Sequence, residues 1–159
     1  MKPSESPVRI RCTNVNWQHN DAGLKDEKES SIMRVAVTTV QVPFIRGGAE
    51  AHAEGLVRAL AEHGCQVEMV TMPFRFGPPA EVLRTMDVWA AEDFARFDCG
   101  EIDRVICLKF PTYYLRHPNK VVWLLHQHRS VYELFNTPYG ESADNPASLE
   151  LQQSILRRD

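Results

Sequence analysis

The segment Arg46-Gly47-Gly48-Ala49-Glu50 sets two adjacent glycines and a guanidinium directly ahead of a helical pattern. A glycine pair at a strand-to-helix junction lets the main chain come close to a ligand. The free N–H groups of the first helical turn then point at that ligand, and the helix dipole favours an anion. Phosphate or another anionic group is the expected guest, with Arg46, Gly47, Gly48 and Glu50 as candidate binding residues. A plain tight turn accounts for the same glycines, and the dipole alone accounts for Glu50. Farther on, Leu125-His126-Gln127-His128-Arg129 ends an apolar run. An imidazole there can exchange a hydrogen bond with a sugar hydroxyl near neutral pH, or bond a nearby carbonyl as a structural group. His126 is the candidate catalytic residue. A His-x-His metal pair lacks a third ligand at motif spacing, so no metal is expected. His52 and His63 fall on the helix after the glycines and His117 precedes Pro118; these read as surface or cap residues.

Two familiar phosphate motifs are absent. The dinucleotide fingerprint needs G-x-G-x-x-G and an acidic residue closing the second strand, which here ends Val70-Thr71-Met72. A Walker A loop needs G-x-x-x-x-G-K-[ST]. No Ser/His/Asp or Cys/His constellation stands out.

The elements that must position these residues alternate strand and helix. Arg34 to Val40 is a β-branched strand. Ala49 to His63 is a helix with Ala49, Ala53, Leu56, Val57 and Leu60 on one face, ended by Gly64. Gln66 to Thr71 is a second strand, and Met72 to Pro79 a loop. Ala80 to Phe97 reads as a helix whose apolar side includes Trp89, Phe94 and Phe97. Asp103 to Phe110 and Val121 to Leu125 are two more strands. Ser130 to Phe135 reads as a short helix. Asn145-Pro146 is an N-cap and first helical residue leading into Ala147 to Arg158. This order predicts an α/β fold, a Rossmann-like open parallel sheet with flanking helices. Ligands of such sheets bind beyond the carboxyl ends of the strands, so the Gly47-Gly48 loop and His126 belong to one edge.

Composition sets the outer bounds. The chain has 159 residues, 43% of them hydrophobic and 25% charged, as in an ordinary globular domain. Its net charge of -3 argues against a nucleic-acid partner. The longest apolar run, Val121 to Leu125, is too short for a transmembrane segment. Cys12, Cys65, Cys99 and Cys107 have neither zinc-knuckle nor redox-pair spacing. With no apolar signal segment, they read as free thiols in a cytoplasmic protein. Residues 1–32 show no helical or strand period and read as a flexible N-terminal extension, with the domain spanning 33–159.

From Met33 to about Phe135 the chain resembles the N-terminal domain of retaining glycosyltransferases of the GT-B fold, family four. The resemblance rests on Met33-Arg34-Val35-Ala36-Val37, on Phe44-Ile45-Arg46-Gly47-Gly48-Ala49-Glu50, and on the helix running into Gly64-Cys65-Gln66-Val67. Cys65 stands where the family usually has His. The strand Val121 to His126 looks like the family strand that ends in a His, with His128 competing for that role. The resemblance implies two Rossmann-like domains around a cleft, the N-terminal one holding mainly the acceptor and the C-terminal one the nucleotide-sugar donor. Gly47 and Gly48 would approach the donor phosphates, and His126 would bond a hydroxyl of the transferred sugar. The implied partners are a nucleotide-sugar co-substrate, a sugar or lipid-sugar acceptor and a C-terminal domain, with no metal and no further cofactor. Nothing after Leu125 resembles the family's Glu-x7-Glu donor motif. The chain thus reads as a truncated acceptor-side half, inactive alone. The alternative is a non-catalytic remnant that binds an anionic sugar or a protein. A nucleotide-dependent oxidoreductase is disfavoured by the missing fingerprint.

Overall fold

The computed structural model describes residues 32–159. The extension expected over residues 1–32 lies outside them, apart from Ile32. β-Branched and apolar residues build β1 (Arg34–Gln41), which is buried along almost its whole length. Its alternation feeds two cores. Val35 and Val37 pack with Ile106, Leu108 and Ala53 of α1 (Gly48–Glu62). Ala36 and Val40 face the larger core, filled by Val82, Met86 and Trp89 of α2 (Pro79–Ala91) and by Leu151 and Ile155 of α3 (Pro146–Arg158). β1 can therefore be central, covered on both faces.

β2 (Gln66–Pro73) and β5 (Arg104–Cys107) pair in parallel with β1 on its two sides, and β6 (Lys120–Val122) pairs in parallel with β5. The four-stranded sheet has the order β2-β1-β5-β6. The protein is α/β, with a four-stranded parallel sheet and three α-helices among the described residues, consistent with a Rossmann-like open sheet. The chain winds from β1 to β2 and then crosses back to β5. The topological switch point lies between the tips of β1 and β5, where open α/β sheets bind ligands.

Local signals set several boundaries. Gly64 takes φ 84° just past α1, a conformation that few other residues adopt cheaply. Asn145 caps α3, accepting from the Ala147 N–H at 3.0 Å, with Pro146 as the first helical residue. Other expectations need correction. α2 stops at Ala91 and does not run to Phe97. Glu92 and Phe94 exchange main-chain hydrogen bonds with Arg116 at 2.9 Å each, which pulls the chain out of the helix. A small hairpin of β3 (Arg96–Phe97) and β4 (Gly100–Glu101) follows. The last two strands of the main sheet are shorter than expected. Ser130 to Phe135 is a run of turns rather than a helix. Cys107 is fully buried, and burial pushes its thiol up, whereas Cys65 is half-buried and Cys99 exposed. No helix among the described residues is long and apolar enough to cross a membrane.

Candidate functional site

The loop between β1 and α1 brings the first candidates to the switch point. Gly47 is the N-cap of α1, with φ -152° and ψ -161°, extended backbone open to any residue. A Cβ on Gly48 would meet nothing within 4 Å, and one on Gly47 only the Glu50 carboxylate at 3.6 Å. Neither the main-chain angles of Gly47 nor the space around the pair requires a glycine here. The N–H groups of Gly48 and Ala49 have no partner among the described hydrogen bonds, as befits an uncapped helix start.

Glu50 closes the loop from inside. One carboxylate oxygen accepts from the Gly47 N–H at 2.8 Å and the other from Lys109 Nζ at 2.7 Å. Lys109 follows β5, so this carboxylate spans the switch point between the first and third strands of the main sheet. Lys109 is fixed in turn by Thr112, whose N–H and hydroxyl both donate to the Lys109 carbonyl, at 2.9 and 2.8 Å. The Lys109 hydrogen bond, against the opposing effect of desolvation, holds the Glu50 carboxyl below its ordinary range. Arg46 is mostly exposed and pairs with Glu54 of α1. Arg46, Glu50, Glu54, Thr39 and Thr71 line a cavity of about 40 Å³. That is room for water, not for a sugar. With two carboxylates against one guanidinium, its interior does not favour an anion.

His126 and His128 have different surroundings. His126 is exposed beyond the tip of β6, its Nδ1 2.7 Å from the Gln127 carbonyl. His128 is buried, stacked on Phe110 at 4.4 Å between ring centroids, with Nε2 3.0 Å from Ser130 Oγ. Burial, with a smaller contribution from His126, lowers its pKa to about 4, so it is a neutral packing residue at pH 7. Parallel pairing puts His126 and the glycine loop at the same edge of the sheet, but no hydrogen bond or ion pair joins them. The link between these tips is indirect: His52 of α1 meets Trp123 edge-on at 5.0 Å, with its Nε2 buried and unpartnered. His63 caps α1 through the Ala59 carbonyl, and His117 knots its own loop between Ile102 and Asn119.

Tyr113 and Tyr114 are committed elsewhere. Their hydroxyls donate to one oxygen of Asp159 at 2.8 and 2.6 Å, and Tyr132 donates to the other at 2.7 Å. Burial and this carboxylate push all three phenols upward, Tyr132 to about 12. A hollow of about 450 Å³, open to solvent, lies at the start of β6 around Arg116, His117 and Lys120, away from the glycine loop. Among the described residues no three His, Cys, Asp or Glu side chains are grouped to hold a metal ion.

Sequence reasoning missed Lys109. A lone charge closing the apolar run Val105 to Leu108 was the available signal for Lys109. Its partner, Glu50, lies 59 residues away with no motif to link them. Comparison with known protein families, curated proteins and solved structures finds no match to this chain.

Proposed function

We propose that this chain is the acceptor-side, N-terminal half of a GT-B-type retaining glycosyltransferase that uses a nucleotide-sugar. The amides of Gly48 and Ala49, with Arg46, take an anionic group of the substrates. Lys109 and Glu50 hold the loop in shape, and His126 offers its imidazole to a sugar hydroxyl from the tip of β6. The observation that carries this reading is the glycine pair at the switch point. The fold does not require these glycines, a Cβ on Gly48 would meet open space, and the Gly48 and Ala49 N–H groups lack partners among the described residues. In such enzymes, charge developing on the leaving diphosphate is stabilised by fixed dipoles and cations. The donor contacts would come mainly from a second domain.

The test is titration of the full chain with inorganic phosphate, followed by amide NMR. Gly48 and Ala49 should show the largest shifts, and Gly48→Val should abolish them. Shifts spread elsewhere, or unaffected by that substitution, would falsify the anion loop. One observation favours the alternative, a non-catalytic binding module. The edge strand β6 and the residues after it leave Val121, Val122, Trp123 and Leu125 each at least 40% exposed. Unpaired apolar edges of this kind recruit partners.

A further inference from the structure

The four-stranded sheet ends on one side in an open edge. β6 is its last strand, and among the described residues nothing pairs with its outer side. The register with β5 fixes which main-chain groups are free. The Asn119 carbonyl accepts from the Val105 N–H, and the Trp123 N–H donates to the Cys107 carbonyl, so Asn119, Val121 and Trp123 spend their main chain on β5. The N–H and C=O groups of Lys120 and Val122, which alternate with them, point outward. Edges of this kind are normally blunted by a charged side chain, most often Lys. Here that charge is withdrawn: Lys120 Nζ donates to the Tyr113 and Leu115 carbonyls at 2.7 and 2.9 Å. What remains at the edge is apolar, with Val121, Val122 and Trp123 exposed at 40%, 48% and 48%.

We infer that the partner of this edge is β6 of a second copy of the chain, paired antiparallel about a two-fold axis at Val122. The strand is self-complementary in that register. Val122 lies opposite itself as a hydrogen-bonded pair, each N–H donating to the other copy's carbonyl. Val121 lies opposite Trp123 on both sides of the axis, an aromatic and β-branched pair of the kind that stabilises sheets. The two Lys120 residues fall at opposite ends of the ladder, each opposite Leu124. A parallel, in-register pair would instead set the two Lys120 side by side. Size sets the strength of the contact. A half-exposed Trp adds on the order of 100 Å² and each valine less, so the pair buries well under the roughly 1,200 Å² of a stable interface. The dimer is therefore weak, with a Kd of about 100 µM. The contact uses none of the glycine-loop residues, so its failure leaves the anion-loop reading standing.

Sedimentation equilibrium of the full chain tests this. From about 1 µM to about 1 mM, concentrations that bracket that Kd, the weight-average mass should climb from that of one chain toward twice that. Val122→Lys and Val122→Glu each set like charges against one another at the axis, so each variant alone should stay monomeric. An equimolar mixture of the two should associate again. Both substitutions fall on a half-exposed side chain whose main chain β5 does not use, and circular dichroism should show the wild-type fold. Amide exchange supplies a second readout. Protection of the Val122 N–H should rise with concentration, while that of Trp123, bonded to Cys107 in either state, should not change. A wild type that is monomeric throughout, a Val122→Lys chain that still dimerises, or a mixture that fails to associate would overturn the proposal. So would a Val122 amide already protected at the lowest concentration, because a segment of the same chain would then cover the edge.

Discussion

Acidification from pH 7.5 to pH 5 should cost this protein about 2 kcal/mol through one side chain, His128. The imidazole is 6% exposed, in face-to-face contact with Phe110 and edge-on to Phe74. Desolvation first, and the charge of His126 second, lower its pKa from 6.5 to about 4, while Asp159 opposes them. Unfolding returns the group to its ordinary value. Between the two values the unfolded chain binds more protons than the folded one, so stability rises with pH. The contribution is complete above pH 6.5 and is lost progressively as the pH falls toward 4. At about 1.36 kcal/mol per unit, the whole window is worth about 3 kcal/mol. The carboxyls of Glu50, Glu81 and Glu133 are shifted below 4.5, so their losses come at lower pH and leave the interval from 6.5 to 5 to His128. Urea unfolding at pH 7.5, 6.5, 5.5 and 5.0 and constant ionic strength measures the slope. His128→Phe keeps an aromatic ring beside Phe110 and should lose most of that slope. An equal slope in the variant, or a wild type as stable at pH 5 as at 7.5, would refute the assignment. The same titration bears on the site, because His128 anchors the turn that carries His126.

Two further perturbations separate structural from functional positions. Gly48→Ala should leave stability unchanged or raise it by about 0.5 kcal/mol, because the added methyl meets open space at a helix start. Gly140→Ala should cost about 2–3 kcal/mol, because its methyl would overlap the Leu134 carbonyl main chain; denaturant midpoints compare the two. Lys109→Met leaves the Glu50 carboxylate with only the Gly47 N–H. A loss of about 1 kcal/mol is expected, and a double-mutant cycle with Glu50→Gln should recover most of it as coupling.

The parts of the fold that local chemistry dictates were legible in the sequence. The β-branched run of β1 needs burial on both faces, and the apolar stripe of α1 supplies one cover. Gly64 and Asn145-Pro146 punctuate the helices where the structure ends and begins them. The errors came where distant main chain decides. Phe94 and Phe97 fit the period of α2, but Arg116 captures the main chain around Glu92 first. The two halves of Leu125 to Arg129 look alike in sequence. Only the aromatic cluster of Phe74, Phe76 and Phe110, drawn from two other segments, makes His128 a packing residue and leaves His126 exposed. Lys109 was illegible for the same reason, since an ion pair between segments 59 residues apart has no local pattern.

The charge balance of the loop constrains how an anion can be held there. Glu50 neutralises Lys109, and Glu54 pairs with Arg46, so an incoming phosphate meets no surplus cation. It meets two oriented N–H groups and a guanidinium that must turn away from Glu54. That turn is cheap, because an exposed ion pair is worth at most about 1 kcal/mol. Attraction therefore depends on hydrogen-bond direction more than on net charge. A loop of this kind selects a ligand by where its oxygens lie, and it holds the ligand weakly unless other contacts add to it.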